Sequence, residues 1–304
     1  MRYQAALLLA ITAASAADIR SFSTWTEYEG GADSSQYSSL KQINKSNVNQ
    51  LQVAWTYPTG ERGNYFFSPI VVDGVMYVLA KDNSFVALDA ATGKELWAHP
   101  NMGAVGARGV NYWESKDRTD RRLIFAVKNY LQEVNARTGV TINTFGTDGR
   151  VDLKQSLARD PKTIDTIQSG TPGRVFENLI ILGSAPGELY GSAPGDIRAY
   201  DVHTGKLIWT IHTIPHPGEY GYNTWPKDAW TYSGGVNAWG EISIDEKRGI
   251  GYFPLGSPIY DLYGADRIGQ NLFGDCLLAL DLRTGKRLWH FQFVHHDLWD
   301  YDPT

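Results

Sequence analysis

Residues 87–97 have the sequence Ala-Leu-Asp-Ala-Ala-Thr-Gly-Lys-Glu-Leu-Trp, and the pattern Ala-x-Asp-x-x-Thr-Gly-Lys-x-x-Trp returns at 199–209 and 279–289. A fourth, degraded copy at 135–143 keeps Asn-x-x-Thr-Gly but has Asn143 at the position of the Trp. An Asp or Asn side chain caps a tight turn, and the Gly supplies a positive φ there. Each copy therefore predicts a strand, a turn and a second strand.

The sequence around these turns favours an all-β fold built from repeated hairpins. Apolar or alternating runs precede the turns, as at 69–79 and 178–182, and no segment shows a sustained helical period. The repeats follow one another at a mean spacing of about 64 residues, which is enough for a four-stranded blade with long insertions. We therefore predict a β-propeller. A β-sandwich with coincidental turns is the alternative, but it gives no reason for a Trp eight residues after each Asp.

Composition and charge exclude several classes of protein. The 304 residues carry a net charge of −5 and no long run of Lys or Arg, so no nucleic-acid partner is expected. Cys276 is the only cysteine in the sequence, which rules out an internal disulfide, a c-type haem attached through Cys-x-x-Cys-His and a thiolate zinc cluster.

The first residues are typical of a secretory signal peptide. Arg2 precedes a short apolar run at 5–12 and a small-residue cleavage site at 14–16. The run is shorter than the roughly 20 apolar residues that span a bilayer, so we expect no transmembrane segment in the mature chain. The sequence thus predicts a signal peptide over residues 1–17, a periplasmic or secreted location, and a propeller domain over residues 18–304.

The repeats resemble the tryptophan-docking motifs of the eight-bladed quinoprotein dehydrogenases, which use pyrroloquinoline quinone (PQQ). Residues 288–302, Leu-Trp-His-Phe-Gln-Phe-Val-His-His-Asp-Leu-Trp-Asp-Tyr-Asp, closely resemble the glucose dehydrogenase branch, and residues 214–226 are similar to another segment of that branch. The resemblance extends from about Trp25 to the end and matches the N-terminal half of longer family members. It implies an eight-bladed propeller truncated here to about four or five blades.

The same resemblance implies an activity, which is the PQQ-dependent oxidation of an aldose such as glucose, or of another alcohol. A divalent metal, with calcium as the expected ion, would assist the PQQ. Because the sequence has no haem site, the electrons would pass to a separate quinone or cytochrome. Whether the chain works alone is left open by the sequence.

Carboxylates near the end of the sequence are the candidate catalytic and metal-binding groups. Taken as a strand, this segment places His296, Asp300 and Asp302 on one face, where two carboxylates can bind a hard cation or act as a base. A solvated acidic strand end is the alternative. The resemblance implies that Asp300 is the general base beside the metal, and that Asp302 and Glu188 are further metal ligands. Glu188 ends the sequence Gly-Ser-Ala-Pro-Gly-Glu, for which a flexible loop is the alternative.

Three further residues match positions that contact PQQ in the resembled family. Trp239 would form the floor beneath the planar rings, Arg108 would pair with a PQQ carboxylate, and Thr171 would contact the cofactor. Indole stacks well on an extended π system, and guanidinium binds carboxylates in a bidentate manner. The alternatives are a packing Trp and a surface Arg. One departure is Ser257, which stands where many relatives have a metal-binding Asn.

Two other classes of protein share the repeat. A non-catalytic propeller scaffold or a sugar-binding propeller would have the same hairpins and the same Trp residues. The scaffold gives no reason for Trp299-Asp300-Tyr301-Asp302 together with Glu188, Trp239 and Arg108. A sugar-binding propeller would use aromatic residues and carboxylates without a quinone. The resemblance favours the dehydrogenase.

Overall fold

Four β-sheets of four strands each form the framework of the part of the protein that the structure describes. The computed structural model describes residues 22–60, 66–80, 84–99, 105–106, 108–167 and 171–303. The predicted signal peptide, residues 1–17, lies outside these ranges. Within them, each four-stranded sheet is antiparallel. The predicted all-β fold with four-stranded blades is confirmed, whereas the two packed sheets of a sandwich are not observed in the described residues.

The strands follow one another in chain order within each blade. Blade 1 contains β1 (Ile70–Val72), β2 (Val75–Leu79), β3 (Phe85–Asp89) and β4 (Glu95–His99). Blade 2 contains β5 (Asn111–Glu114), β6 (Arg121–Val127), β7 (Tyr130–Asn135) and β8 (Arg150–Asp152). Blade 3 contains β9 (Arg174–Phe176), β10 (Leu179–Leu182), β11 (Ile197–Asp201) and β12 (Leu207–Ile211).

An insertion separates blade 3 from blade 4. It holds a 3₁₀ turn (Tyr222–Thr224), the short helix α1 (Ala229–Tyr232) and β13 (Gly234–Gly235). Blade 4 contains β14 (Ser243–Asp245), β15 (Ile250–Pro254), β17 (Cys276–Asp281) and β18 (Arg287–Gln292), while β16 (Pro258–Ile259) pairs with β13. Two further 3₁₀ turns lie before blade 1 (Tyr28–Gly30 and Val48–Gln50).

The repeated motif forms the turn between the third and fourth strands of every blade. In blade 1, the Asp89 carboxylate accepts the Thr92 backbone N–H at 2.8 Å, and Gly93 has φ of 70°. In the degraded copy, the Asn135 side chain accepts the corresponding N–H at 3.2 Å. The predicted turn chemistry is confirmed because one short polar side chain and one Gly satisfy the backbone locally.

The Trp of one blade docks on the turn of its neighbour. The indole N–H of Trp97, in blade 1, donates to the carbonyl of Ala136 at 3.1 Å, and the corresponding group of Trp209 donates to Leu282 at 2.9 Å. A Cβ on Gly139 would lie 2.5 Å from the Trp97 ring, so the turn needs Gly for close approach as well as for its φ. These contacts confirm a packing role for Trp97 and Trp209.

The hydrophobic core lies between successive blades. Blades 1 and 2 share Ile70, Phe85, Leu123 and Phe125; blades 2 and 3 share Ile124, Leu131, Ile180 and Tyr200; blades 3 and 4 share Ile181, Ala199, Phe253 and Leu278. Each strand that contributes to two of these clusters points successive residues to opposite faces, as strands do.

Antiparallel pairing brings distant parts of the sequence to one edge of the blades. The start of a blade's first and third strands and the end of its second and fourth strands lie at the same edge. We call it the upper edge, defined by the starts of β5, β9 and β14 and the ends of β10, β15 and β18. The Asp-x-x-Thr-Gly turns lie at the opposite edge. The predicted site residues all occur in upper-edge segments: Arg108, Thr171, Glu188, Trp239, Asp300 and Asp302.

Candidate functional site

Trp239 is the centre of the first group of predicted site residues. Arg108 Nη1 donates to the Trp239 carbonyl at 3.0 Å, and the guanidinium carbon lies 5.3 Å from the centre of the indole ring. The Thr171 hydroxyl donates to the carbonyls of Trp239 and Gly240, the latter at 3.0 Å. These residues precede the first strands of blades 2, 3 and 4, so three blades meet at the Trp239 backbone.

Arg108 keeps part of its side chain accessible. Its exposed fraction is 30%, and its Nε lies 3.9 Å from a carboxylate oxygen of Glu241. The same oxygen accepts the Tyr28 hydroxyl at 3.3 Å. A partly exposed planar guanidinium beside an indole can receive a second carboxylate.

Asp302 connects the end of the described chain to this Trp. One of its carboxylate oxygens accepts the Trp239 indole N–H at 2.6 Å, and the other accepts the Ser257 backbone N–H at 2.6 Å. Asp302 therefore fixes the polar edge of the indole. Its role as a metal ligand stays a prediction, since both oxygens bind protein groups here.

The segment after β18 is not a strand, so the expected alternation of faces is wrong. The strand ends at Gln292, and His296 and Asp300 have φ of 52° and 58°. Asp297 is buried, with 1% exposure, and accepts the backbone N–H groups of Trp299 and Tyr301. A side chain that takes these N–H groups competes with strand pairing and curls the chain. Asp300 consequently lies exposed at the upper edge.

Four carboxylates form the second group of site residues. Glu188, Asp261, Asp300 and Asp302 interact electrostatically. Burial raises the pKa of Asp261 to about 7, and repulsion from Glu188 and Asp300 adds to the rise. Burial also raises the pKa of Asp300, followed by repulsion from Asp302 and Glu188. The three predicted metal-site residues therefore lie near enough to interact electrostatically with Asp261, which the sequence did not predict.

Asp261 was missed because no motif marks it. It follows β16, which pairs with β13 and so lies beside the segment leading to Trp239. The feature of the sequence that could have identified Asp261 is its position. It lies seven residues after the second strand of blade 4, and this strand ends at the upper edge.

The donor set fits a hard divalent cation in its chemistry. Carboxylate oxygens are the ligands that such cations prefer, and a bound cation would relieve the repulsion that raises the pKa of Asp261. Among the residues that the structure describes, no three His, Cys, Asp or Glu side chains are already gathered around one point as a metal site. Glu188, Asp261 and Asp300 are the side chains that a cation could draw together.

Ser257 contacts protein carboxylates. Its hydroxyl donates to Asp297 at 2.6 Å and lies 3.4 Å from an oxygen of Asp275. Burial raises the pKa of Asp275 to about 7, and repulsion from Asp297 and Asp302 adds to the rise. Ser257 therefore supports the segment that carries Asp297 and Asp302.

Within the part of the chain that the structure describes, no helix has the length and apolar character needed to cross a membrane.

Known proteins resemble nearly the whole chain. Residues 25–304 match the family described as "PQQ: Glucose/ethanol/alcohol dehydrogenase, beta-propeller domain". Quinoprotein glucose dehydrogenase A of Acinetobacter calcoaceticus is 31% identical over 92% of this chain. The dehydrogenase subunit of alcohol dehydrogenase (quinone) of Acetobacter aceti is 32% identical over 91% of it. Each match covers 39% of the relative, so the chain spans about two fifths of the length of these curated relatives.

A solved structure has the same arrangement of strands. Quinohemoprotein alcohol dehydrogenase from Comamonas testosteroni matches 93% of this chain and 43% of its own chain, with a TM-score of 0.76 and 25% identity.

Proposed function

This chain belongs to the family of β-propeller domains of PQQ-dependent glucose, ethanol and alcohol dehydrogenases, and we therefore propose that the protein oxidises an aldose or another alcohol with PQQ. The observation that carries the proposal is the meeting of Arg108, Thr171 and Trp239 beside the carboxylates Glu188, Asp261 and Asp300. A non-catalytic scaffold has no use for this combination of a guanidinium, an indole and several carboxylates, and a sugar-binding propeller would use the aromatic and acidic groups without a quinone.

Trp239, Arg108 and Thr171 are the residues proposed to hold PQQ. The indole offers a flat apolar surface. Asp302 accepts its ring N–H, and Thr171 donates to the backbone carbonyl of Trp239. The Arg108 guanidinium offers a fork for a carboxylate. PQQ, assisted by a divalent cation, supplies the two-electron acceptor that amino-acid side chains lack.

Asp300 is proposed as the base that takes the proton from the substrate hydroxyl. It lies exposed at the upper edge, whereas Asp297 is buried and Asp302 has both oxygens in hydrogen bonds. Glu188 and Asp261 are proposed to hold the cation, with calcium as the expected ion. A cation beside Asp300 keeps this carboxylate ionised and able to accept a proton.

The substrate, the location and the electron acceptor belong to the proposal as well. We propose an aldose such as glucose as the substrate, because residues 288–302 resemble the glucose dehydrogenase branch. The two relatives described above, one named for glucose and one for alcohol, are 31% and 32% identical, so identity does not separate these substrates. The electrons would pass to a quinone or a cytochrome in the periplasm or outside the cell.

The test uses the purified chain with PQQ and Ca²⁺. Bound PQQ is measured by absorbance after equilibrium dialysis, and turnover is measured with glucose, ethanol and an artificial electron-accepting dye. We expect Asp300→Asn to bind PQQ like the wild type but to lose at least about 100-fold in kcat, the usual scale of general-base catalysis. Asp228→Asn, an exposed control, should keep full activity.

Two results would contradict the proposal. If the wild-type chain binds no PQQ, the cofactor assignment is wrong for this chain. If Asp300→Asn keeps full turnover, Asp300 is not the base. Glucose binding without bound PQQ would instead support the sugar-binding propeller.

A further inference from the structure

We propose that Asp297 is a positioning residue that sets the orientation of Asp300, and that Ser257 and Arg267 hold Asp297 in place. The inference rests on the proposed function, because it concerns the residue proposed as the base.

Asp297 holds the backbone on both sides of Asp300. One of its carboxylate oxygens accepts the Trp299 N–H at 3.1 Å, and the other accepts the Tyr301 N–H at 3.0 Å. Asp300 lies between these two residues with φ of 58°, a conformation that is uncommon for non-glycine residues, although Asp adopts it more readily than most. The Tyr301 N–H belongs to the peptide group that follows Asp300, and the Trp299 N–H belongs to the peptide group that joins Leu298 to Trp299. The two hydrogen bonds therefore restrain the backbone on either side of Asp300.

Ser257 connects this carboxylate to Asp302. Its hydroxyl donates to Asp297 at 2.6 Å, and its backbone N–H donates to Asp302 at 2.6 Å. One serine thereby holds the residue three positions before Asp300 and the residue two positions after it. Ser257, which stands where many relatives have Asn, therefore has a role in this structure. Its short hydroxyl donates to Asp297, and its backbone N–H donates to Asp302.

Arg267 supports the same segment from the other side. It is buried, with 1% exposure, and its guanidinium donates to the Asp297 carbonyl at 2.7 Å and to the Tyr260 carbonyl at 3.1 Å. Tyr260 precedes Asp261, so Arg267 ties the segment that carries Asp300 to the loop that carries a proposed metal ligand. The relative position of Asp300 and Asp261 therefore depends on one buried guanidinium.

The buried Asp297 carboxylate is well satisfied by these contacts. It receives two backbone N–H groups and one hydroxyl, and hydrogen bonds of this kind compensate a buried charge. An asparagine at this position keeps the shape but carries one acceptor oxygen in place of two, so its amide N–H₂ would face a backbone N–H or the Ser257 hydroxyl. The expected consequence is a changed orientation of residue 300 with little change in the surrounding blade.

The first arm of the test measures the kinetics of Asp297→Asn in the chain loaded with PQQ and Ca²⁺. We expect kcat to fall at least about tenfold, while KM and the PQQ dissociation constant stay within about threefold, because only the base is displaced. Asp300→Asn gives the reference for complete loss of the base, and Asp228→Asn is the control for a lost carboxylate. A wild-type kcat in Asp297→Asn would overturn the inference.

The second arm separates positioning from folding. Ser257→Ala removes the hydroxyl and should lower kcat, whereas Ser257→Thr keeps a hydroxyl and should restore it. Hydrogen exchange of a peptide covering residues 298–302 should be faster in Asp297→Asn and Ser257→Ala, and unchanged in Asp228→Asn. A loss of melting temperature in Asp297→Asn with unchanged kcat would show a purely structural role.

The two hypotheses fail in different ways. If the wild type neither binds PQQ nor turns over, the proposed function is wrong, and the positioning role falls with it. If the wild type is active and Asp300→Asn is not, but Asp297→Asn and Ser257→Ala are fully active, only the positioning role is wrong.

Discussion

At the scale of single residues, Arg108 makes the most direct prediction about cofactor binding. Replacing it with Met keeps the length of the side chain but removes the charge that would pair with a PQQ carboxylate. Thr171 still donates to the Trp239 carbonyl, so the indole should stay in place. We expect the PQQ dissociation constant to rise about tenfold or more, the usual worth of a charged hydrogen bond. Equilibrium dialysis measures the change.

The matched control for Arg108→Met is Arg283→Met. Arg283 pairs with Glu177 at 2.6 Å, and both lie at the edge opposite to the site. This variant should bind PQQ like the wild type. Equal loss of PQQ binding in the two variants would remove Arg108 from the site.

Glu133 makes a prediction about stability at the same scale. It is fully buried in β7, where one guanidinium nitrogen of Arg122 donates to it at 2.9 Å. The guanidinium of Arg122 also pairs with Asp120. Burial raises the pKa of Glu133 from 4.5 to about 8, although Arg122 opposes the rise. Between pH 4.5 and about pH 8, Glu133 is protonated in the folded protein and ionised in the unfolded chain. The free energy of unfolding therefore falls as the pH rises through this range.

Urea unfolding at about pH 5 and about pH 8 tests this sign. We expect Glu133→Gln to gain stability relative to the wild type at the higher pH, by on the order of 1 kcal/mol or more. Glu246→Gln, an exposed control, should keep the pH dependence of the wild type. The same pH dependence in wild type and Glu133→Gln would contradict the raised pKa.

At the scale of elements, the sequence predicts regular hairpins well and the irregular segments poorly. The turn at Asp89 is formed by local contacts. The Asp89 carboxylate accepts the backbone N–H and the hydroxyl of Thr92, and Gly93 follows directly, so the pattern alone identifies the turn. The segment after β18 has the same apparent alternation as a strand. Its shape depends on Asp297, which accepts two N–H groups of its own segment and is held in place by Ser257, forty residues earlier. No pattern in the segment itself contains the contact with Ser257.

The docking of Trp209 on the turn of blade 4 is the element contact that we predict to matter for stability. The ring is 9% exposed and packs against Gly285, whereas Trp289, at the same repeat position in blade 4, is 43% exposed. Trp209→Ala should therefore lower the free energy of unfolding by about 3–5 kcal/mol, the usual cost of truncating a buried aromatic residue. Trp289→Ala should cost far less, and equal losses in urea unfolding would contradict the docking model.

At the scale of the whole molecule, the topology explains why the site could be predicted in part. The resemblance of short segments pointed to Arg108, Thr171, Glu188, Trp239, Asp300 and Asp302, and alternating strand directions bring all of them to the upper edge. Asp261 and Asp297 escaped prediction because their roles arise from contacts between distant segments: Asp261 interacts with Glu188 of blade 3, and Asp297 binds Ser257 and Arg267 within blade 4. Local patterns therefore identified candidate residues that the fold brings to one edge, and the packed structure was needed to find the residues that contact them.

The packing of blades 2, 3 and 4 also predicts that ligands stabilise the molecule as a whole. Arg108, Thr171 and Trp239 come from different blades, so PQQ would bind only when all three are assembled, and binding to the folded state alone adds about 2.7 kcal/mol at a concentration 100 times the dissociation constant. Ca²⁺ should add to this effect by relieving the repulsion around Asp261. We expect the melting temperature in calorimetry to rise more with both ligands than with the sum of each alone, because the cation site lies beside the cofactor surface.

Variants at the two parts of the site give this last prediction its test. Glu188→Gln should lose the Ca²⁺-dependent part of the stabilisation and keep the part due to PQQ, while Arg108→Met should show the reverse. Glu177→Gln, at the opposite edge, should respond like the wild type. Strictly additive shifts in the wild type would mean that the two ligands do not change each other's affinity and that the carboxylates and the Trp239 surface act as separate sites.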